Sequence, residues 1–176
     1  DLFESPAPLR NVKTATDLLP SRWQEQLRSK PELASMITNE KEWLDRANSL
    51  LSTYFELENP TLFEPTHREL HLEQNLTENV YLHGYVDRLD IAPTGEVRIV
   101  DYKTGKAPKS GYEEKALFQL RFYGLLWYRK FGTVPKLLQL LYLGDGQVIK
   151  SNPTEKDLLN AERKALQTGS DIKVSI

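Results

Sequence analysis

The spacing of apolar side chains is helical in one stretch of the N-terminal third of the chain. From Trp43 to Phe55 the apolar residues recur every three or four positions, which is the spacing of one helix face. Asn39 followed by Glu42 is typical of a helix N-cap. We therefore predict a helix that begins near Asn39, packs its apolar face against a core and ends before Asn59-Pro60.

The residues before this helix show no sustained period. Their breakers are Pro6, Pro8, Pro20 and Pro31, and proline interrupts helical hydrogen bonding. We predict a loop-rich segment over residues 1–35, with room for one short helix within Ser21–Arg28.

From His67 onward the hydrophobic period changes to two. Leu70 and Leu72 alternate with Glu69 and His71, as in a strand with one buried face. This pattern predicts the first strand of a sheet.

Two further strands are predicted over Val80–Ile91 and Val97–Lys103. The intervening Pro93-Thr94-Gly95 is a turn signal, so these strands should fold back on each other as a hairpin. A helix follows from about Glu113 to Phe131. Two more strands are then predicted, joined at Gly144-Asp145-Gly146.

A last helix, capped by Thr154 with Asp157, is predicted to run toward Gln167. The full order is helix, three strands, helix, two strands, helix, which is typical of a mixed α/β fold. We predict a single domain over 1–176, with a mainly helical part at 1–60, a sheet and its helix at 65–150, and a C-terminal helix at 154–168.

Composition narrows the class of protein only moderately. Hydrophobic residues make up 39% of the chain and the net charge is −2, so a folded core is expected but no overall basic excess. The absence of cysteine excludes disulfides and thiolate metal sites in this sequence. The sequence contains neither an apolar membrane span nor a signal peptide, so we expect a cytoplasmic protein without a membrane partner. Because the chain begins at Asp1 and not at Met, we expect it to be a piece of a longer protein.

Acidic residues interrupt the two hairpin strands at positions where an apolar side chain would be usual. Asp101 and Lys103 share a strand face, and the predicted hairpin brings Asp87 across from them. Glu69, on the preceding strand, could complete the group. Converging carboxylates repel each other unless a cation lies between them, and oxygen ligands suit Mg²⁺ or Mn²⁺.

A lysine beside such a metal suits phosphodiester hydrolysis, since it orients water or neutralises charge on the phosphate. The simpler alternative for each of these residues is a solvated strand edge or a structural ion pair.

The helix after these strands carries a polar pair within an apolar surface. Gln119 and Tyr123 are four residues apart and share a helix face, so they either satisfy each other in the core or point at the metal site. From Asp101 to Lys130 basic residues outnumber acidic ones seven to three, a modest footprint for a polyanion. Lys106, Lys109 and Lys115 lie in or next to the loop that follows the predicted site.

Three segments of the chain together resemble a known family of nucleases. The segments "GYVDRLD", "VRIVDYKTGKAP" and "FQLRFY" occur in this order. They resemble the motifs of the PD-(D/E)XK nuclease superfamily, and in particular those of its RecB-like exonuclease branch. The resemblance implies a restriction-endonuclease-like core, with a mixed central β-sheet flanked by helices.

The resemblance also implies a role for each matching residue. Asp87, Asp101 and, with less support, Glu69 would hold Mg²⁺ or Mn²⁺, with the Tyr102 backbone carbonyl as a further ligand. Lys103 would be the catalytic lysine. The residues that would bind DNA are Gln119 and Tyr123, joined by the nearby Lys106, Lys109 and Lys115.

The implied activity is metal-dependent DNA cleavage in repair or recombination, on single strands or duplex ends, with a helicase as a further partner. Two features of that family are missing from the sequence. The first is a metal-binding His upstream of these motifs, and the second is the set of cysteines that holds a 4Fe-4S cluster in many relatives. We expect the chain to be a core fragment, in which case the full-length protein could carry the cluster and the fragment itself could be weakly active.

Two alternatives to a nuclease stay open. One is a non-catalytic module that binds DNA ends on a degenerate nuclease fold. The other is a metal-dependent phosphoesterase that acts on small substrates.

Overall fold

A computed structural model describes residues 2–78 and 80–167. The chain divides into two compact units. The first consists of Asp1–Glu64 with Leu143–Gly146, and the second of Pro65–Tyr142 with Gln147–Ile176. The single domain expected over 1–176 stays a prediction.

The first unit is helical. After two short 3₁₀ turns, it contains α1 (Val12–Ser29), α2 (Leu33–Met36) and α3 (Glu40–Leu57). The rings of Trp23 on α1 and Trp43 on α3 stack with centroids 4.1 Å apart, and the Trp23 Nε1 donates to Glu40 Oε1 at 2.8 Å. The buried indole thus satisfies its one polar atom, as an aromatic anchor between helices needs to.

The expectation of a loop-rich segment over residues 1–35 is wrong. The helix α1 is 18 residues long, contains Pro20 in its interior and is capped by Asn11, whose side chain accepts from the Thr14 N–H at 3.0 Å. An interior proline costs a helix roughly 3 kcal/mol, and the Trp23–Trp43 packing supplies stabilisation that propensity cannot show.

The helix α3 confirms its sequence signals. The Asn39 side chain accepts from the Glu42 N–H at 3.2 Å, and the helix ends at Leu57. Just outside the helices, Arg10 is buried and donates to the carbonyl of Phe63 at 3.1 Å and to Glu64 Oε2 at 2.5 Å. A buried guanidinium is tolerated there because its donors find acceptors.

The second unit is a five-stranded mixed sheet flanked by helices, as the sequence predicts. Its strands lie in the order β1-β2-β3-β4-β5. All neighbours are antiparallel except β3 and β4, which are parallel. Because a parallel pair needs a long crossover, α4 connects them. The elements are β1 (His67–Thr77), β2 (Val80–Ile91), β3 (Val97–Lys103), α4 (Glu114–Phe131), β4 (Leu137–Tyr142), β5 (Gln147–Ser151) and α5 (Glu155–Gln167).

The core of this unit lies between α4 and the sheet. Leu120 and Leu125 on α4 are fully buried against Leu89, Ile99 and Leu140 from three neighbouring strands. Each such side chain contributes about 1.5–3 kcal/mol relative to an exposed one. The central helix is therefore held firmly on the strands that carry the predicted site.

Gly124 allows α4 to approach both β4 and α5. A Cβ atom at this position would lie 3.0 Å from the Leu158 side chain and 3.2 Å from that of Leu138. The absence of a side chain is thus what permits the close packing of the three elements.

The last helix also confirms its cap. The Thr154 N–H donates to Asp157 Oδ2 at 2.8 Å, and the Asp157 N–H donates to Thr154 Oγ1 at 3.3 Å. Residue 168, the predicted last position of this helix, lies outside the described residues. In the part of the chain that the structure describes, no helix is long and apolar enough to cross a bilayer.

Candidate active site

The hairpin strands part at the predicted carboxylates. The β2–β3 ladder runs from Ile91–Val97 to Arg88–Val100, and the same register carried one step further sets Asp87 opposite Asp101. At that step the Asp87 Oδ2 accepts a hydrogen bond from the Tyr102 backbone N–H at 2.7 Å. A side chain thus takes over where the backbone ladder ends.

The strand β2 changes phase at the same point. Leu82 and Val86, an even number of residues apart, are buried in one core cluster, and Leu89, three residues after Val86, belongs to the same cluster. Side chains along a regular strand alternate between faces, so the strand is irregular between Val86 and Leu89. This irregularity lets both Val86 and Asp87 turn toward the interior of the unit.

Asp101 is a buried carboxylate. It is 2% exposed, and Lys103 Nζ lies 2.8 Å from its Oδ2, in an ion pair without hydrogen-bond geometry. Burial raises the pKa of Asp101, Lys103 opposes this rise, and the charge of Asp87 adds to it. The predicted proximity of Asp87, Asp101 and Lys103 is therefore present in the structure.

The reverse face of the same strands holds a buried ion network that sequence reasoning missed. Arg88 is 1% exposed, its Nε lies 3.2 Å from Asp90 Oδ2, and its Nη1 donates to the Tyr102 hydroxyl. Arg98 donates to the same Asp90 oxygen from its Nε at 2.8 Å. These contacts fix Tyr102, the residue between the two predicted catalytic side chains of β3. The signal in the sequence was an arginine between two aspartates in an otherwise apolar strand.

Tyr123 on α4 reaches the carboxylates because β2 has a glycine beneath it. A Cβ on Gly84 would lie 3.1 Å from Tyr123 Cε1, and Tyr123 itself is 1% exposed. Burial raises the pKa of Tyr123, and the charges of Asp101 and Asp87 raise it further. The phenol therefore stays protonated and can donate a hydrogen bond at any physiological pH.

Gln119 lies one helical turn before Tyr123, as the spacing predicted. Its Nε2 is buried and forms no hydrogen bond of good geometry with a described residue, but the Gln119 side chain interacts with the Tyr123 hydroxyl and opposes the rise in the pKa of Tyr123. The two polar side chains of α4 therefore contact each other, as one of the sequence-based alternatives predicts.

Glu69 does not join the two aspartates. The β1–β2 register sets it opposite Asp87, but the ladder skips this position, and Glu69 has a φ of 51° with an exposed side chain. A positive φ is uncommon for a residue other than glycine. Within the described ranges no group of three or more His, Asp or Glu residues is arranged to hold a metal, so the role of Glu69 as a ligand stays a prediction.

The remaining predicted residues lie on the surface. Lys106, Lys109 and Lys115 are exposed, and none forms an ion pair with another described residue. His71 and His83 lie side by side, with ring centroids 5.9 Å apart. The structure thus brings together Asp87, Asp101 and Lys103 with Tyr123, and leaves the three lysines exposed to solvent.

The residues present fit a small divalent cation. Mg²⁺ typically binds one or two protein carboxylates and completes its shell with water and substrate phosphate. Asp87 and Asp101 supply these carboxylates, and the buried Asp101 Oδ2 pairs with Lys103 Nζ at 2.8 Å without a hydrogen bond of good geometry. A divalent ion there would also stabilise the ionised form of Asp101, which burial disfavours.

Comparison with known proteins agrees with this geometry. The family model of the PD-(D/E)XK nuclease superfamily matches residues 3–173. The chain therefore belongs to the PD-(D/E)XK nuclease superfamily, whose members are typically metal-dependent nucleases. A comparison with curated proteins found no match.

Proposed function

We propose that this chain is a Mg²⁺- or Mn²⁺-dependent deoxyribonuclease of the RecB-like exonuclease type. The observation that carries the proposal is the buried Asp101 carboxylate, with Lys103 Nζ 2.8 Å away and Asp87 at the opposite register position. A buried acid with a raised pKa beside a lysine and a second acid is what a phosphodiester hydrolase needs.

The metal would be held by Asp87 and Asp101, with the Tyr102 backbone carbonyl as a further oxygen. When bound, a divalent ion polarises the phosphate and lowers the pKa of a water molecule. Asp87 has a second task, because it also accepts the Tyr102 N–H and so fixes the position of β3 against β2.

Lys103 has the role of orienting the attacking water or stabilising charge on the phosphate. Its side chain is 22% exposed, so it is anchored by Asp101 and still reaches solvent. Because Lys103 lies at the end of β3, paired with Tyr142 of β4, its backbone is held by the sheet and its position is preorganised.

Two donors from α4 complete the proposed site. The Tyr123 hydroxyl, which lies beside Asp101, and the Gln119 amide, which interacts with that hydroxyl, are suited to phosphate oxygens or base edges. The exposed Lys106, Lys109 and Lys115 would attract the DNA backbone by charge alone.

The cellular setting extends the same proposal. We place the activity in DNA repair or recombination in the cytoplasm, on single strands or duplex ends, with a helicase as a partner. The sequence has no cysteine, so this chain itself offers no thiolate ligand for a 4Fe-4S cluster.

The test is a cleavage assay on end-labelled single-stranded and duplex DNA. The chain should cleave with Mg²⁺ or Mn²⁺ and stop when EDTA is added, and Asp101→Asn and Lys103→Ala should each lose at least a hundredfold in rate. Lys150→Gln, an exposed charge change on β5, is the control. DNA binding that is never followed by metal-dependent cleavage would instead identify a non-catalytic end-binding module.

A further inference from the structure

A polar cleft lies between α4 and α5, apart from the proposed active site. It has a volume of about 300 Å³ and is lined by residues of both helices, among them Phe118, Arg121, Arg163 and Lys164. Arg121 is two residues from both Gln119 and Tyr123, which is about 200° around a helix. The cleft therefore opens on the side of α4 that faces away from the proposed active site.

Arg121 is the central feature of this cleft. Its side chain is half-buried, and its Nε is buried with no hydrogen-bond partner in the described part of the chain. Its ion pair with the exposed Glu114 is long, at 3.7 Å. A buried guanidinium donor that lacks an acceptor is costly, and the cost disappears when an anion occupies the cleft.

The charges that line the cleft favour an anion. Arg163 and Lys164 join Arg121, and the lining contains one carboxylate, Asp157. The Asp157 Oδ2 already accepts from the Thr154 N–H at 2.8 Å and from the Thr154 hydroxyl at 2.6 Å. Since this oxygen serves the helix cap, the guanidinium groups of Arg121 and Arg163 outweigh it.

The size and chemistry of the cleft point to phosphate. A guanidinium presents a planar fork of donors that matches phosphate oxygens in a bidentate manner. Lys164 lies over the Phe118 ring at 5.9 Å, so an aromatic surface adjoins the cations. We propose that the α4–α5 cleft is a phosphate-binding site in which Arg121 is the central ligand, and that its occupant is a backbone phosphate of the nucleic acid away from the scissile bond.

This inference deepens the proposed function and, in its nucleic-acid form, rests on it. A strand that occupied both places would contact α4 on two sides. The enzyme could then hold the substrate by a phosphate that it does not cleave, which is a use of remote binding energy.

The first arm of the test is equilibrium binding of a short labelled single-stranded oligonucleotide in EDTA, where cleavage cannot occur. Arg121→Gln should weaken binding about tenfold and make the dependence on salt shallower, by about 0.7 in the log–log slope for each phosphate that the variant no longer neutralises. Arg163→Gln, at an exposed position on α5, should weaken it about threefold. Lys150→Gln, the same charge change outside the cleft, should leave binding unchanged.

The second arm titrates inorganic phosphate and follows the arginine Nε–H resonances by NMR. Phosphate should shift one resonance in the wild type that is absent in Arg121→Gln, and it should compete with the oligonucleotide. If phosphate binds through Arg121 but the oligonucleotide binds equally well without it, the site takes free phosphate, and the nucleic-acid form of the proposal is wrong. Oligonucleotide affinities within twofold for all variants, together with no phosphate-dependent shift, would overturn the proposal.

The result is separable from the proposed nuclease activity. If the wild-type chain fails to cleave DNA but Arg121→Gln still weakens oligonucleotide binding, the nuclease proposal is wrong and the phosphate site in the cleft is supported. If the wild-type chain cleaves DNA, and Arg121→Gln leaves binding and KM unchanged with no phosphate-dependent shift, the nuclease proposal is supported and the phosphate site is wrong. Thermal melts of each variant exclude unfolding as the cause.

Discussion

The side chain of Asp87 stands in for a backbone partner of Tyr102. Its Oδ2 accepts the Tyr102 N–H at 2.7 Å, one residue beyond the last β2–β3 pair. A carboxylate in this place closes the sheet and at the same time lies beside Asp101, whose pKa its charge raises. Structure and proposed chemistry therefore depend on the same side chain.

Substitutions of Asp87 should separate these two roles. Asp87→Asn keeps an oxygen that can accept the Tyr102 N–H but loses the charge, so metal affinity should fall at least tenfold with little change in stability. Asp87→Ala also orphans the amide and should lower the free energy of unfolding by about 1–3 kcal/mol. Urea unfolding and calorimetric titration with Mn²⁺ measure the two effects. Equal stability of both variants would contradict the structural role.

Asp101→Asn should stabilise the metal-free protein at neutral pH. Burial raises the pKa of Asp101 above its value in the unfolded chain, so the ionised form costs the folded state stability, and this cost is lost as pH falls through the raised pKa. The variant should melt about 2–4 °C higher at pH 7, and the difference should vanish in acid. Added Mg²⁺ should raise the melting temperature of the wild type only.

A Mg²⁺ shift of equal size in Asp101→Asn would argue against Asp101 as a ligand. Asp45→Asn, which alters an exposed carboxylate on α3, provides the matched control and should respond to Mg²⁺ as the wild type does.

Gly84→Ala should displace Tyr123 without breaking the sheet. The new Cβ would approach Tyr123 Cε1 to 3.1 Å, so the ring must move by a few tenths of an ångström. We expect the cleavage rate to fall about tenfold or more while the stability falls by about 1–3 kcal/mol. Gly105→Ala, where a Cβ would meet nothing within 4 Å, is the steric control for stability. An unchanged rate in Gly84→Ala would show that the position of Tyr123 does not matter for cleavage.

The ion network of Arg88, Asp90 and Arg98 on the reverse face of the strands should contribute to the free energy of unfolding, and its central residue should contribute most. Arg88→Met removes one of the two arginines that form ion pairs with Asp90 in the described part of the chain, the other being Arg98, and should lower the free energy of unfolding by about 3–5 kcal/mol. Arg98→Met, at a side chain that is 33% exposed, should cost about 1 kcal/mol or less. Denaturant melts compare the two, and equal losses would contradict the central place of Arg88.

The sequence predicts the sheet well because its signals there are local. The strand over Val80–Ile91, the turn at Pro93-Thr94-Gly95 and the cap at Thr154 each depend on neighbours along the chain, and the structure confirms all three. The helix α1 was missed because Pro20 is a strong local breaker, and the stacking of Trp23 on Trp43 that favours the helix is a tertiary interaction.

The candidate site divides in the same way. The approach of Asp101 and Lys103 follows from strand periodicity, and that of Asp87 follows from the hairpin register. The phase change between Val86 and Leu89 and the positive φ of Glu69 could not be predicted, because they arise where two strands part. The same limit applies to Gly84, whose meaning depends on a ring of α4.

The hydrogen bond from Tyr102 to Asp87 also suggests an order in which site residues would be lost if a related protein lost its nuclease activity during evolution. Substitution of Lys103 removes an amine that reaches solvent and leaves the Tyr102 N–H bonded. Substitution of Asp87 removes the acceptor of that N–H at the end of the β2–β3 pairing. A related protein that loses nuclease activity but still binds DNA should therefore lose Lys103 early. It should keep Asp87 for longer, because the sheet still needs that carboxylate after catalysis has been lost.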